Sequence, residues 1–180
     1  MKPYKIALLE IVEMRITDIN TVLEILSENR LEVWSYNDFL SEIQRDDSLT
    51  LVGKMNNEII GFCVARLIKF TKQPHYNSGR AFIYDKNFET ECEIYNIAVK
   101  REFQHRCIGS KLLDRIVLLL KKYNSQSIWL EVRTSNIEAI SFYQKNDFRQ
   151  MYERKNFYSN PLENAIVMKR DLKPDVLGNK

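Results

Sequence analysis

Apolar positions along this chain recur at two spacings, and the switch between them predicts its elements. Residues 5–15 read as a strand. Ile19, Val22, Leu23, Ile25 and Leu26 then fall partly on one face of a helix, with Thr17 and Asp18 available as caps. Ser35 is positioned to cap a second, short helix running to about 43, with Trp34 placed for a hydrophobic staple. Segments 49–54 and 58–70 predict two strands joined by an Asn56-Asn57 turn, a hairpin. The stretch 71–92 is mixed aromatic and polar, and leaves a long loop and an extended hairpin both open. Residues 93–99 predict a strand and 101–109 a turn. Leu112, Leu113, Ile116, Val117 and Leu120 give helical spacing over 110–123. A strand at 128–133, a helix capped by Asn136 and ending at 145, and strands at 148–156 and 164–170 around a loop with Pro161 complete the pattern. Antiparallel-type hairpins followed by strand–helix–strand–helix predict an α/β fold with a sheet of mixed direction. The expected organisation is one domain over 1–172, with 71–92 as an insertion or extended hairpin and a frayed tail at 173–180.

Composition narrows the chemistry. Five glycines in 180 residues, at 53, 61, 79, 109 and 178, are fewer than the usual share of about 7%. None lies close enough to another to form an intact G-x-G-x-x-G or G-x-x-x-x-G-K loop, so any phosphate-binding turn has one glycine to work with. A net charge of +3, with no block of five like charges, argues against a nucleic-acid partner. Cys63, Cys92 and Cys107 are odd in number and lack a C-x-x-C, and His75 and His105 lie far apart. Disulfide, zinc and histidine-metal frameworks therefore have no support, and a reducing cytoplasm is the expected location. The longest aliphatic run, 116–120, is far short of the roughly 20 residues of a membrane span, and the start lacks a signal-peptide core.

The informative segment runs from Ile94 to Leu113, where a strand enters a turn that opens a helix. Backbone N–H groups at such a turn form an anion cradle, aided by the helix dipole. Its Gln104-His105-Arg106-Cys107-Ile108-Gly109 resembles the pyrophosphate arm of the GCN5-related N-acetyltransferase (GNAT) family, Gln/Arg-x-x-Gly-x-Gly/Ala. Downstream, Trp129-Leu130-Glu131-Val132-Arg133, Asn136, Tyr143 and Phe148 follow at the family's distance. Arg154-Lys155-Asn156-Phe157-Tyr158 and Glu163-Asn164-Ala165-Ile166-Val167-Met168 strengthen the match, which is best with the branch that acetylates protein N-termini, typified by bacterial ribosomal-protein alanine acetyltransferases. The resemblance is good over 93–170, thinner over 14–70 and absent over 71–92. It implies a single GNAT-type α/β domain with a mostly antiparallel central sheet flanked by helices, and acetyl-CoA as co-substrate without a metal.

Acyl transfer from a thioester to an amine requires a base for the amine, donors for the oxyanion and a proton for the leaving thiolate. By resemblance Glu131 is the base, against the alternative of a strand-end glutamate in a salt bridge. Tyr143 is the acid that protonates the coenzyme A thiolate, against the alternative of a core aromatic sharing a face with Ile140. The backbone of Ile97, Ala98 and Val99 pairs with pantetheine. Gln104, His105, Arg106, Cys107, Ile108, Gly109 and Ser110 form the phosphate arm, with solvated surface as the alternative for His105 and Arg106. Asn136 touches the cofactor or is a plain N-cap. Tyr158 lines the acceptor pocket or is an exposed hairpin aromatic.

Two family glycines are replaced. Cys107 stands in the arm, where its Cβ is expected to hinder approach to phosphate. Asp147 stands just past the last helix, where a left-handed backbone is expected and tolerated. The acceptor implied is the α-amine of a protein or peptide, a ribosomal protein being one such case. A small-molecule amine and a non-catalytic acyl-CoA-binding module remain the rival functions, and oligomeric state is left open.

Overall fold

The computed structural model describes residues 8–29, 31, 34–71 and 88–172. The segments 1–7, 72–87 and 173–180 lie outside the described residues, and with them the middle of the expected insertion and the expected tail. Among the described residues seven strands and four α-helices follow in the order β1 (Leu9–Glu13), α1 (Ile19–Glu28), α2 (Tyr36–Ile43), β2 (Ser48–Met55), β3 (Glu58–Thr71), β4 (Phe88–Val99), α3 (Ile108–Leu120), β5 (Ser125–Arg133), α4 (Ile137–Lys145), β6 (Arg149–Ser159) and β7 (Leu162–Asp171).

Several ends are set by the local chemistry the sequence announces. At α2 the Ser35 hydroxyl accepts from the Asp38 N–H at 3.3 Å and Asp38 Oδ2 accepts from the Ser35 N–H at 2.7 Å, a capping box. Trp34 packs on Phe39 with ring centroids 5.2 Å apart, closing the staple. Asn56 and Asn57 both take positive φ, 51° and 66°, as a two-residue hairpin turn requires. Asp18 departs from its expected role. A single 3-10 turn, Ile16–Asp18, precedes α1, and the Asp18 carboxylate caps that turn instead, accepting from the Arg15 N–H at 2.9 Å and pairing with Lys54 at 3.1 Å. The third helix starts two residues earlier than its apolar spacing predicts, and its last turn, Lys121–Tyr123, tightens to 3-10 geometry.

The sheet order is β1-β2-β3-β4-β5-β7-β6, antiparallel except for β4 against β5. β3 and β4 stay paired as far as Thr71 opposite Phe88, so the ends of the 71–92 stretch are the arms of an extended hairpin. Both faces of β3 are buried. Phe62 and Val64 join the cluster under α1 and α2 with Ile19, Val22, Ile25 and Phe39. Cys63, Ala65 and Leu67 join the larger cluster under α3 and α4 with Leu112, Leu113, Ile116 and Tyr143. Strand periodicity of two explains this split: alternate side chains enter opposite layers.

One break in the ladder sets up the site. β4 pairs with β5 from Thr90 opposite Ser125 to Ile94 opposite Leu130, and no further. Tyr95 is the extra residue of a bulge where the β3 register shifts between Val64 and Ala65. A bulge bends its strand and increases local twist. Beyond it, 96–99 and 131–133 diverge and leave a gap between two adjacent strands.

Candidate active site

The gap is walled on one side by backbone and on the other by side chains. Lys100 N–H donates to Ile60 O at 2.8 Å. By the alternation of an antiparallel ladder, Ala98 also directs its N–H and C=O to β3, whereas Ile97 and Val99 direct theirs away from it, toward the gap. Of the three expected backbone contacts, Ile97 and Val99 therefore face the gap and Ala98 is committed to the sheet. Packing is equally tight there: a Cβ on Gly61 would lie 2.9 Å from the Ala98 carbonyl oxygen.

Where β4 ends, the chain makes the turn expected to hold phosphate. The N–H groups of Ile108, Gly109 and Ser110 form the first turn of α3 and have no acceptor within it; the first helical bond is Lys111 N–H to Cys107 O at 3.0 Å. His105, Arg106 and Cys107 are exposed, with the Arg106 guanidinium over the Phe103 ring at 5.3 Å. Gln104 is turned inward. Its amide nitrogen donates to Asn29 Oδ1 at 2.9 Å and to the Val99 carbonyl at 3.1 Å, while Asn29 Nδ2 donates to the same carbonyl at 3.2 Å. The Gln104 amide N–H groups thus anchor the turn to the ends of β4 and α1. Gly109 is constrained from another direction, since a Cβ there would come within 3.0 Å of the Phe142 ring.

Cys107 is the N-cap of α3 with φ 60° and ψ 13°, in the left-handed region, as is His105 at φ 59°. The family glycine expected at 107 is therefore explained first by backbone conformation. A non-glycine residue in this region is strained by roughly 1 kcal/mol. Cys107→Gly is expected to raise stability by about that amount and the melting temperature by about 2–4 °C, as read by thermal unfolding. A melting temperature that falls would show that the turn does not strain Cys107. The second replaced glycine behaves as the sequence suggests. Asp147 has φ 66°, its N–H donates to Gln144 O at 3.2 Å, and the Phe148 N–H returns to Tyr143 O at 3.0 Å. These are the two bonds of a Schellman end, and Phe148 packs on Tyr143 with centroids 5.6 Å apart.

Glu131 and Tyr143 approach the gap from opposite faces of the sheet. Leu130 and Val132 point into the layer under α3 and α4, so Glu131 between them points the other way. Its side chain is 19% exposed and is ion-paired through Oε1 with Arg154 Nη1 of β6, so the salt-bridge alternative holds in the structure. Tyr143 comes from α4 and is 8% exposed. Burial raises its phenol pKa well above the ordinary value, and the neighbouring Cys63 thiol and Tyr158 phenol push it the same way. Tyr158 is 8% exposed, so the exposed-aromatic alternative fails for it. Asn136 is an N-cap, its Oδ1 accepting from the Ala139 N–H at 3.1 Å.

A polar clamp ties the lips of the site together. Glu163 at the start of β7 accepts from the Ser135 N–H at 2.6 Å, the Thr134 hydroxyl at 3.0 Å and Arg133 Nη1 at 3.2 Å. Arg133 also donates to the Asn160 carbonyl at 3.1 Å and the Pro161 carbonyl at 3.3 Å, and its guanidinium lies over the Tyr158 ring at 4.1 Å. The Ser135 N–H first, then the hydroxyls and Arg133, hold the Glu163 carboxyl at about 2, below the usual carboxylate range. A carboxyl depressed in the folded state stabilises the fold above its unfolded value, near 4.3, and that contribution is lost as pH falls toward 2. Glu163→Gln is therefore expected to lower the urea midpoint at pH 7 but to match the parent near pH 2. A deficit that persists unchanged at low pH would show that charge is not what the clamp uses.

Asn29, Arg133, Arg154 and Glu163 are the site residues the sequence reading did not assign. Glu163 and Arg154 stood inside quoted motifs, but their partners are set by register across three strands. Asn29 and Gln104 are 75 residues apart, and neither carries a local signal for the other.

The acetyltransferase (GNAT) family model matches residues 19–148. The [ribosomal protein bS18]-alanine N-acetyltransferase of Haemophilus influenzae is 31% identical over 154 residues, 84% of this chain and 90% of that one. The N-alpha-acetyltransferase of Sulfurisphaera tokodaii is 26% identical over 161 residues, 86% of this chain and 87% of that one. The crystal structure of the ribosomal-protein-S18-alanine N-acetyltransferase from Escherichia coli superposes with a TM-score of 0.69 at 25% identity, covering 95% of this chain and 99% of that one.

Proposed function

The chain belongs to the acetyltransferase (GNAT) family, and from that membership we propose that it is an acetyl-CoA-dependent N-acetyltransferase acting on the N-terminal α-amine of a protein or peptide. The observation that carries the reading is the gap past the Ile94–Leu130 pair, with the Ile97 and Val99 N–H groups directed into it on one side and Glu131 on the other. Residues able to hold the co-substrate are present. The first-turn amides of Ile108, Gly109 and Ser110 suit its pyrophosphate, and the Ile97 and Val99 amides suit an extended amide-bearing arm. Acetyl-CoA supplies the acetyl group as an activated thioester.

The chain's own groups divide the proton work by face. Glu131 takes the proton that the acceptor nitrogen loses as the N–C bond forms, directly or through one water. Its Oε1 is held by Arg154, so Oε2 is the oxygen left for that proton. As the C–S bond breaks, Tyr143 donates its hydroxyl hydrogen bond to the departing sulfur from the opposite face. An amide N–H of the gap wall offers a hydrogen bond to the carbonyl oxygen where charge develops. Separating attack and departure across a sheet lets one side open to a protein chain while the other stays packed.

An α-amine has a pKa of about 7.7–8.0 against about 10.4 for lysine, so a carboxylate of modest basicity suffices for it. The names of the similar proteins support a protein N-terminus as acceptor, and a ribosomal protein is the first candidate. Cys63, Cys92 and Cys107 are all free thiols, which suits a reducing cytoplasm. Among the described residues no helix is long and apolar enough to cross a membrane. The test is intact-mass measurement of peptides with different first residues, beside a panel of small amines, after incubation with acetyl-CoA. One added acetyl group on free N-termini is expected; turnover of small amines alone would overturn the choice of acceptor.

A further inference from the structure

The Glu131–Arg154 ion pair has an effect beyond holding a carboxylate still. Arg154 reaches across β7 from β6, and its guanidinium also lies over the Phe157 ring at 4.3 Å. It stands where the β6–β7 register breaks, between Arg154 and Tyr158, next to Asn156 with φ 54°. Several other cations on these strands pair elsewhere: Arg133 with Glu163, and Lys169 with Asp171 at 3.1 Å and over the Trp129 ring at 4.8 Å. Arg154 is the cation paired with Glu131 at the mouth of the gap, and it leaves the pair electrically neutral.

We infer that Arg154 is a specificity-determining residue: by neutralising Glu131 it denies an ammonium ion its counter-charge, so acceptors enter as the neutral amine and α-amines are selected over lysine ε-amines. The proposal rests on the α-amine reading above and supplies a physical basis for it. At pH 7.5 about a quarter of an α-amine is uncharged, but only about a thousandth of a lysine side chain. A site that admits only the neutral form therefore separates the two by roughly two hundredfold before shape matters. A bare carboxylate at the same place would attract the cation and erode that difference. Proton balance is unchanged: the neutral nitrogen forms the new bond and then gives one proton to Glu131.

The test compares two peptides with acetyl-CoA at pH 7.5. One has a free N-terminus and no lysine; the other has a blocked N-terminus and one lysine. Arg154→Gln is expected to lower the α/ε ratio of kcat/KM about fivefold, chiefly through a lower KM for the lysine peptide, and Arg154→Lys is expected to keep the parent ratio. Arg154→Met keeps an aliphatic stem over Phe157 and serves as a second neutral variant. An unchanged ratio in both neutral variants, with both peptides slowed alike, overturns the inference and leaves the α-amine reading standing. An equal fall in Arg154→Lys overturns it too, because shape rather than charge would then be responsible. A parent enzyme that prefers the lysine peptide overturns the α-amine reading itself, and this inference with it.

Discussion

Glu131→Gln is expected to lower kcat by about 10²–10⁴-fold, the range that a positioned general base contributes, and to leave coenzyme A affinity nearly unchanged. The substitution keeps the size and planarity of the side chain and removes its ability to take a proton. Glu131 lies on the face opposite Leu130 and Val132, away from the packed layer that includes α3, whose first turn is the proposed phosphate site, so cofactor affinity is not where its loss should register. Stability should change little, since a partly exposed pair such as Glu131–Arg154 contributes about 1 kcal/mol. Steady-state kinetics and calorimetric titration with coenzyme A read the two quantities separately. A rate within threefold of the parent would remove Glu131 from the mechanism. Loss of coenzyme A binding together with the rate would instead make it a structural residue.

Tyr143→Phe is expected to slow transfer by about 10²-fold, the effect of removing one well-placed donor from a site where charge develops. The ring remains, so its contacts with Phe142 at 5.2 Å and Phe148 at 5.6 Å remain as well. What disappears is a hydroxyl whose pKa burial has raised. The sign of that shift matters. A phenol raised above its ordinary value keeps its proton through neutral pH and ionises only at more alkaline pH than a free tyrosine. In the proposed mechanism Tyr143 therefore stays protonated, and able to donate to the leaving sulfur, over the whole working range. The slowing should accordingly be the same at each pH between about 6 and 9. A slowing that grows or shrinks through that range would mean the hydroxyl ionises during turnover. No slowing at all would return Tyr143 to the core.

How much was legible beforehand depended on how far each interaction reaches. Ser35, Asn136 and the Asn56-Asn57 turn act within four residues of themselves, and all three take the roles their local patterns announce. The Asp147 end is of the same kind. Asp18 shows the limit of such reading: the correct residue is used as a cap, but for the preceding 3-10 turn, because Lys54 from β2 draws its carboxylate. At Cys107 the motif marked the position, and the structure adds a left-handed backbone there, a second reason for the family glycine.

By itself the sequence determined the kind of most elements, the caps of α2 and α4, the α/β class and the family, since these depend on spacing within one helix, one strand or one motif. Tertiary structure alone decided which groups meet. The opening between β4 and β5 follows from a bulge at Tyr95 against β3. The Glu131–Arg154 pair follows from the register of three strands, and the seat of the turn before α3 from Gln104 and Asn29, 75 residues apart. The physical reason is one of range. Capping and periodicity are energies of neighbouring residues and are written locally, whereas register and ion pairing are set by packing the whole sheet.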